Sequence, residues 1–221
     1  MEKSRFALAA FLLFSVAGWA EDVHPVTHRQ IAGVMGPGGA EWLVRPERVS
    51  EEHPDQALDE LKIPNGATVA DIGAGVGYFT WRLAERVGPR GVVYGEDIQQ
   101  FMLDRLQKNM KSKKLTNVRA VLGTPDDPKL PANSLDLILM VDVYHEFSEP
   151  EKMLDRMREA LKPNGRLVLL EYRAEDPSVP IRPEHKMTVK DVRAEVEPEG
   201  FRFEQSIESL PIQHEIIFRK P

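Results

Sequence analysis

Residues 144–146, Tyr-His-Glu, follow the apolar run Leu135–Val141 after only two residues. A histidine there is a candidate for proton transfer, because its ordinary pKa lies near neutrality and its surroundings easily move it. Tyr144 and Glu146 flank it with a hydroxyl and a carboxylate. His145, Tyr144 and Glu146 are therefore the first candidate catalytic set. Asp142, Glu171, Tyr172, Arg173, His185, Gln213 and His214 are further polar residues that the end of a sheet could bring to the same rim, with His214 the most useful of them chemically. Group transfer also proceeds by alignment alone, with no protein base. The histidines at 145, 185 and 214 are too far apart in sequence to show a ligand spacing, so no metal is assigned. His24 and His28 lie four apart but lack a carboxylate at a matching offset, and are assigned none either.

A second constellation is Val69–Thr80, VADIGAGVGYFT. An apolar strand leads into Gly73, Gly75 and Gly77, and an apolar-faced helix follows. Glycine accepts positive φ and lets a ligand approach the backbone. The helix N-terminus beyond offers free N–H groups. A dinucleotide fingerprint of the form G-x-G-x-x-G would need glycine where Tyr78 stands. Asp97 closes the next strand, VVYGED, about where an acidic residue binds the two hydroxyls of a ribose. The competing role for Asp97 is to cap the helix that begins near Gln99.

These residues need a frame, and the periodicity supplies one. A short helix is expected over Pro54–Ile63, strands at 69–72, 92–95, 118–122, 135–141 and 166–172, and helices between them. The fourth strand, LDLILMV, is apolar throughout, as a strand covered on both faces should be. The alternation implies an α/β fold: a doubly wound Rossmann-like sheet, mostly parallel. The tail breaks the rhythm. A helix over Thr188–Val196 opens on a capping box, Thr188 with Asp191. Two alternating strands, 201–207 and 213–219, then make a C-terminal hairpin, giving seven strands with the last antiparallel.

The chain has 221 residues, a net charge of −6 and no cysteine. Disulfides, thiolate metal sites and a cysteine nucleophile are excluded. The acidic balance argues against nucleic-acid partners. The first residues read as a signal peptide: Lys3 and Arg5, an apolar run Phe6–Val16, and small residues before a cut after Ala20. The run is short for a membrane span. A secreted or periplasmic protein is the expectation, with a cytoplasmic or membrane-anchored one as the alternative. Residues 21–53 form a Gly/Pro-containing arm and a candidate lid, and 54–221 the main domain.

Several motifs stand in order: VADIGAGVGYFT, VVYGEDI, LGTPDDP (122–128), LDLILMVDVYHEF (135–147) and LKPNGRLVLLEY (161–172). Together they resemble class I S-adenosylmethionine-dependent methyltransferases, over about residues 55–219, and the closing hairpin agrees. The resemblance implies S-adenosyl-L-methionine as cofactor. Asp71, Gly73 and Gly75 would receive its methionine part, with Gly77 in the same cofactor-binding turn, and Asp97 would take its ribose. Ile98 would pack on the adenine, and Asp126 (or Asp127) would accept from the adenine amino group. It implies methyl transfer to a small-molecule acceptor. The alternative is an exported, non-catalytic protein that keeps the fold and a nucleoside site.

Overall fold

The computed structural model describes residues 23–221. The expected leader lies outside them. Two short helices, α1 (Arg48–Glu52) and α2 (Pro54–Glu60), precede the sheet. Helix α2 ends before the expected Ile63, at a turn where Lys62 takes positive φ ahead of Pro64. The alternating part then runs β1 (Thr68–Ile72), α3 (Thr80–Val87), β2 (Val92–Asp97), α4 (Gln100–Ser112), β3 (Val118–Leu122), β4 (Leu135–Val141), α5 (Pro150–Ala160) and β5 (Leu161–Arg173). A two-residue β6 (Lys186–Met187), α6 (Val189–Val196), β7 (Arg202–Ile207) and β8 (Gln213–Arg219) complete it.

The sheet order is β3-β2-β1-β4-β5-β8-β7. The first five strands are parallel, β8 pairs antiparallel with β5, and β7 antiparallel with β8. This is the expected doubly wound sheet with an antiparallel C-terminal hairpin. Among the strands the sequence pattern missed β6, which pairs with the end of β5 at Tyr172 and Arg173 and is too short to have a period.

Strand alternation sorts side chains into two cores. Val69, Leu137, Leu139, Val168 and Leu170 meet Leu58, Leu83 and Val87 from α2 and α3. Ala70, Ile72, Ile138, Met140, Leu167 and Leu169 meet Met153, Met157, Val192 and Val196 from α5 and α6. Each fully buried aliphatic side chain contributes about 1.5–3 kcal/mol. Helix α6 starts as expected: Thr188 Oγ1 accepts from the Asp191 N–H at 2.9 Å. Among the described residues no helix is long and apolar enough to cross a membrane.

Residues 23–47 run across the carboxyl ends of the strands. Their anchor is Glu195 on α6, whose side chain is fully buried. It accepts from Thr27 Oγ1 and from Arg29 Nε at 2.9 Å, with His24 Nε2 at 3.2 Å. The Ala32 N–H donates to the His145 carbonyl at 3.0 Å, and Gln99 Nε2 to the Met35 carbonyl at 3.0 Å.

Candidate functional site

A cavity of about 620 Å³ lies beyond the carboxyl ends of β1, β2 and β4. That size is ordinary for a small-molecule site. Its floor includes Gly73, Gly75, Asp97 and Ile98, one end reaches Arg48, and another reaches Thr124 and Pro125. The opposite wall holds His145, Glu146, Phe147, Ile181 and His185. Ile31–Met35, Trp42 and Leu43 of the arm cover it.

The glycine turn is built as a close-approach surface at two of its three glycines. Gly73 and Gly75 have φ of +64° and +54°. A Cβ on Gly73 would stand 2.3 Å from Val143 Cγ2, and one on Gly75 2.9 Å from Leu43. Gly77 has another task. Its added Cβ would meet Met110 and Leu106 of α4, so this glycine lets α4 pack on the turn and does not face the cavity.

Asp97 lines the cavity and is 6% exposed. One carboxylate oxygen accepts the Gly75 N–H at 2.9 Å, the other the Gln99 N–H at 2.8 Å. Asp97 thus receives the N–H before α4 and also lines the cavity. Burial pushes its pKa up, with the two N–H bonds acting against the shift. Ile98 is apolar yet 37% exposed at the cavity.

Asp71 does not line the main cavity. It faces α3, like Val69 two residues before it, and accepts from Thr80 Oγ1 at 2.6 Å. Burial raises its pKa to about 7. It supports the turn from below. Asp126 also lies off the cavity: it is exposed, and Thr124 Oγ1 donates to it at 2.8 Å. The cavity meets Thr124 and Pro125 in its place. Glu96, the residue before Asp97, also lines the cavity. One of its oxygens lies 3.4 Å from the Gly73 nitrogen, and burial, then the Asp97 charge, raises its pKa to about 8.

On the opposite wall, strand alternation separates the candidates. At the end of β5, Glu171 and Tyr172 point to opposite faces. Tyr172 donates to Glu52 of α1 at 3.0 Å, and Glu52 accepts from Arg48 at 2.6 Å. Asp142 completes this group: Gln213 Nε2 donates to it at 2.8 and 2.9 Å, and Arg48 stands 3.8 Å away. Burial drives the Asp142 pKa well up. Arg48 and Glu52 were missed from sequence; their i, i+4 spacing was the available sign.

Glu171 serves the other face. It accepts the Tyr144 N–H at 3.0 Å and is bonded to His145 Nδ1 at 2.6 Å. Burial lowers the proton affinity of His145, but the Glu171 charge and hydrogen bond outweigh it, and the net shift is upward. His185 brings Nδ1 to 3.1 Å from His145 Nε2. Glu146 is pushed up to about 7 by burial, with His145 acting the other way. The remaining two candidates are elsewhere. The Tyr144 side chain is fully buried in the core against Phe147 and does not reach the cavity. The His214 ring is held between Glu175 at 2.8 Å and Glu208 at 2.7 Å, off the cavity. Arg173 likewise turns away, to Glu208 and the Leu210 carbonyl.

Residues 63–208 match the family model described as a methyltransferase domain. A demethylmenaquinone methyltransferase of Geobacillus sp. (strain WCH70) is 28% identical over 117 residues, 53% of this chain and 50% of that protein. A nocamycin O-methyltransferase of Saccharothrix syringae is 29% identical over 140 residues, 63% of this chain and 48% of that protein. The chain spans about half the length of the curated relatives it matches. Among solved structures, a SAM-dependent methyltransferase from Aquifex aeolicus superposes with a TM-score of 0.81 at 26% identity, covering 85% of this chain and all of that one.

Proposed function

This chain belongs to the methyltransferase domain family, and from that premise we propose that it transfers a methyl group from S-adenosylmethionine to a small-molecule acceptor. One observation carries the reading. A single cavity joins the Gly73/Gly75 surface, Asp97 and Ile98 on one side to His145 and Glu146 on the other.

The cavity fits the donor in its chemistry as well as its place. Side chains on Gly73 and Gly75 would fill the cradle. Arg48, beside Gly73, is the cation for the methionine carboxylate. Asp97 takes the ribose hydroxyls, and Ile98 with Thr124 and Pro125 borders the adenine. Asp71 and Gly77 act by holding the turn, and Asp126 makes no contact. The donor, when bound, supplies an electrophilic methyl on a sulfonium. What the chain's own residues do is align and dry the site. The arm shields it through Ile31–Met35, Trp42 and Leu43. Glu171 fixes the His145 ring through Nδ1, and Nε2 meets His185 Nδ1 at 3.1 Å on the acceptor wall.

The acceptor side is mainly apolar: Ile31, Val34, Phe147 and Ile181 surround the two histidines. We read the acceptor as a small molecule with an apolar body and an oxygen or nitrogen nucleophile. The small-molecule methyltransferases among the relatives support this class without naming the acceptor. Calorimetry of the chain with S-adenosylmethionine and with its demethylated product tests the donor half, with binding of both expected and binding of neither fatal. Product formation from a panel of phenolic and hydroxy-acid acceptors separates transfer from mere binding. Binding without turnover of any acceptor favours the non-catalytic alternative.

A further inference from the structure

His145, Glu146 and His185 each place a ligand atom within 4.8 Å of the others, on the acceptor wall. The two histidine nitrogens that face each other, His145 Nε2 and His185 Nδ1, are 3.1 Å apart. With metal–nitrogen bonds of about 2.0–2.1 Å, that separation subtends an angle of about 100° at an ion, between octahedral and tetrahedral values. The rings meet nearly edge to face, at 84°. The outer nitrogen of His145 is bonded to buried Glu171 at 2.6 Å. A carboxylate behind a ligating imidazole is the arrangement that orients such rings and raises their donor strength.

We propose that His145, His185 and Glu146 bind one divalent first-row transition-metal ion, leaving open positions toward the acceptor. Two imidazoles and one carboxylate suit a borderline cation such as Zn²⁺, Co²⁺ or Fe²⁺ better than Mg²⁺ or Ca²⁺. The role of the ion rests on the methyl-transfer reading: it holds the acceptor through an oxygen and lowers the pKa of that hydroxyl, so that its proton passes to water before the oxygen takes the methyl, which favours acceptors with two neighbouring oxygen donors. The binding itself does not rest on that reading.

The proton positions make the proposal specific. His185 Nε2 lies 3.0 Å from Arg182. A guanidinium only donates, so His185 carries its proton on Nδ1 and gives it to His145 Nε2. Ion binding requires the lone pairs of both facing nitrogens. His185 must then move its proton from Nδ1 to Nε2, and Arg182 must leave. Arg182 is free to do so: its side chain is 75% exposed, and Glu184 offers a carboxylate at 3.4 Å.

The test is titration of the chelator-stripped full chain with Co²⁺ and Zn²⁺, without donor or acceptor, followed by calorimetry and the visible d–d bands of Co²⁺. One ion per chain is expected. His185→Ala and Glu146→Gln should each weaken binding at least tenfold, and Glu171→Gln, which reaches the ion through His145, about 10–100-fold. His185 sits in a surface turn, so its loss spares the core. Arg182→Ala should bind as tightly as the parent or tighter. No binding, or undiminished binding by His185→Ala, overturns the proposal. Donor calorimetry run in chelator reads the methyl-transfer proposal separately, so either can fail alone.

Discussion

Replacing Asp97 by alanine is the sharpest probe of the donor side. If its carboxylate receives two ribose hydroxyls, the variant loses two hydrogen bonds to a charged group, each worth about 1.5–3 kcal/mol. The lower end applies here. The same carboxylate already accepts the Gly75 N–H at 2.9 Å and the Gln99 N–H at 2.8 Å, which share its charge. About 3 kcal/mol is then lost, or roughly a hundredfold in affinity. The two N–H groups left behind border the cavity, where water can reach them, so the fold should survive; the melting curve checks this. The assay is calorimetry with S-adenosylhomocysteine and with its 2′-deoxy form. Where Asp97 holds the hydroxyl, the losses from variant and deoxy ligand are not additive. Asp126→Ala, exposed and off the cavity, serves as the control and should change affinity by less than about twofold. A loss under about fivefold for Asp97→Ala, or full additivity in the cycle, refutes the ribose assignment.

Other outcomes follow from the same geometry. Glu215 on β8 is fully buried, and burial, then the charge of Glu60, raises its pKa to about 8. A raised carboxyl contributes stability below its unfolded pKa and loses it as pH rises through the folded one. Glu215→Gln should therefore be more stable than the parent near pH 8, by about 4 kcal/mol and roughly 10 °C in Tm, with the gain vanishing by about pH 4.5; a pH-independent difference contradicts this. Glu195→Ala should release the arm, costing about 3 kcal/mol and speeding hydrogen exchange at residues 24–32, whereas unchanged exchange would mean the arm is held otherwise. Gly77→Ala forces a Cβ to 2.9 Å from Met110 at a φ of +88°, so stability should drop by about 1–3 kcal/mol while donor affinity of the folded fraction holds. A reporter fused after residue 25 should be found outside the cytosol if the first residues direct export, and retention inside counts against it.

Much of the frame was legible because its signals are local. Runs such as LDLILMV and the 3.6-residue spacing of Met153, Leu154 and Met157 fix element type within a few residues. The cradle was legible for the same reason, since Gly73, Gly75 and Asp97 are set by turn chemistry and a strand end. The acceptor wall was harder. His145 meets Glu171 and His185 across 26 and 40 residues, and no spacing rule links them. Tyr144 looked as available as its neighbour, but the short turn at 144–146 sends one ring into the core and the other to the cavity. Asp71 could have been placed by alternation alone, because it shares a face with Val69 and so belongs under α3. Asp126 failed for a small reason: the Thr124 hydroxyl holds it away. No metal spacing was visible because the third ligand, His185, arrives from a separate turn at 183–185.

The alternation at the end of β5 also sets a scale. Glu171 reaches the acceptor wall, and Tyr172, one residue later, reaches the Glu52–Arg48 pair beside the glycine turn. Strand β5 is gripped there by β8 on one edge and by β6 beyond β4. The groups that brace the two halves of the cavity thus stand on opposite faces of one strand, a fixed gauge behind the turns that carry His145 and His185. In-line transfer demands reacting atoms about 3–3.5 Å apart. On the proposed reading, change in the arm or in residues 176–185 would retune which acceptor enters while that bracing stays constant.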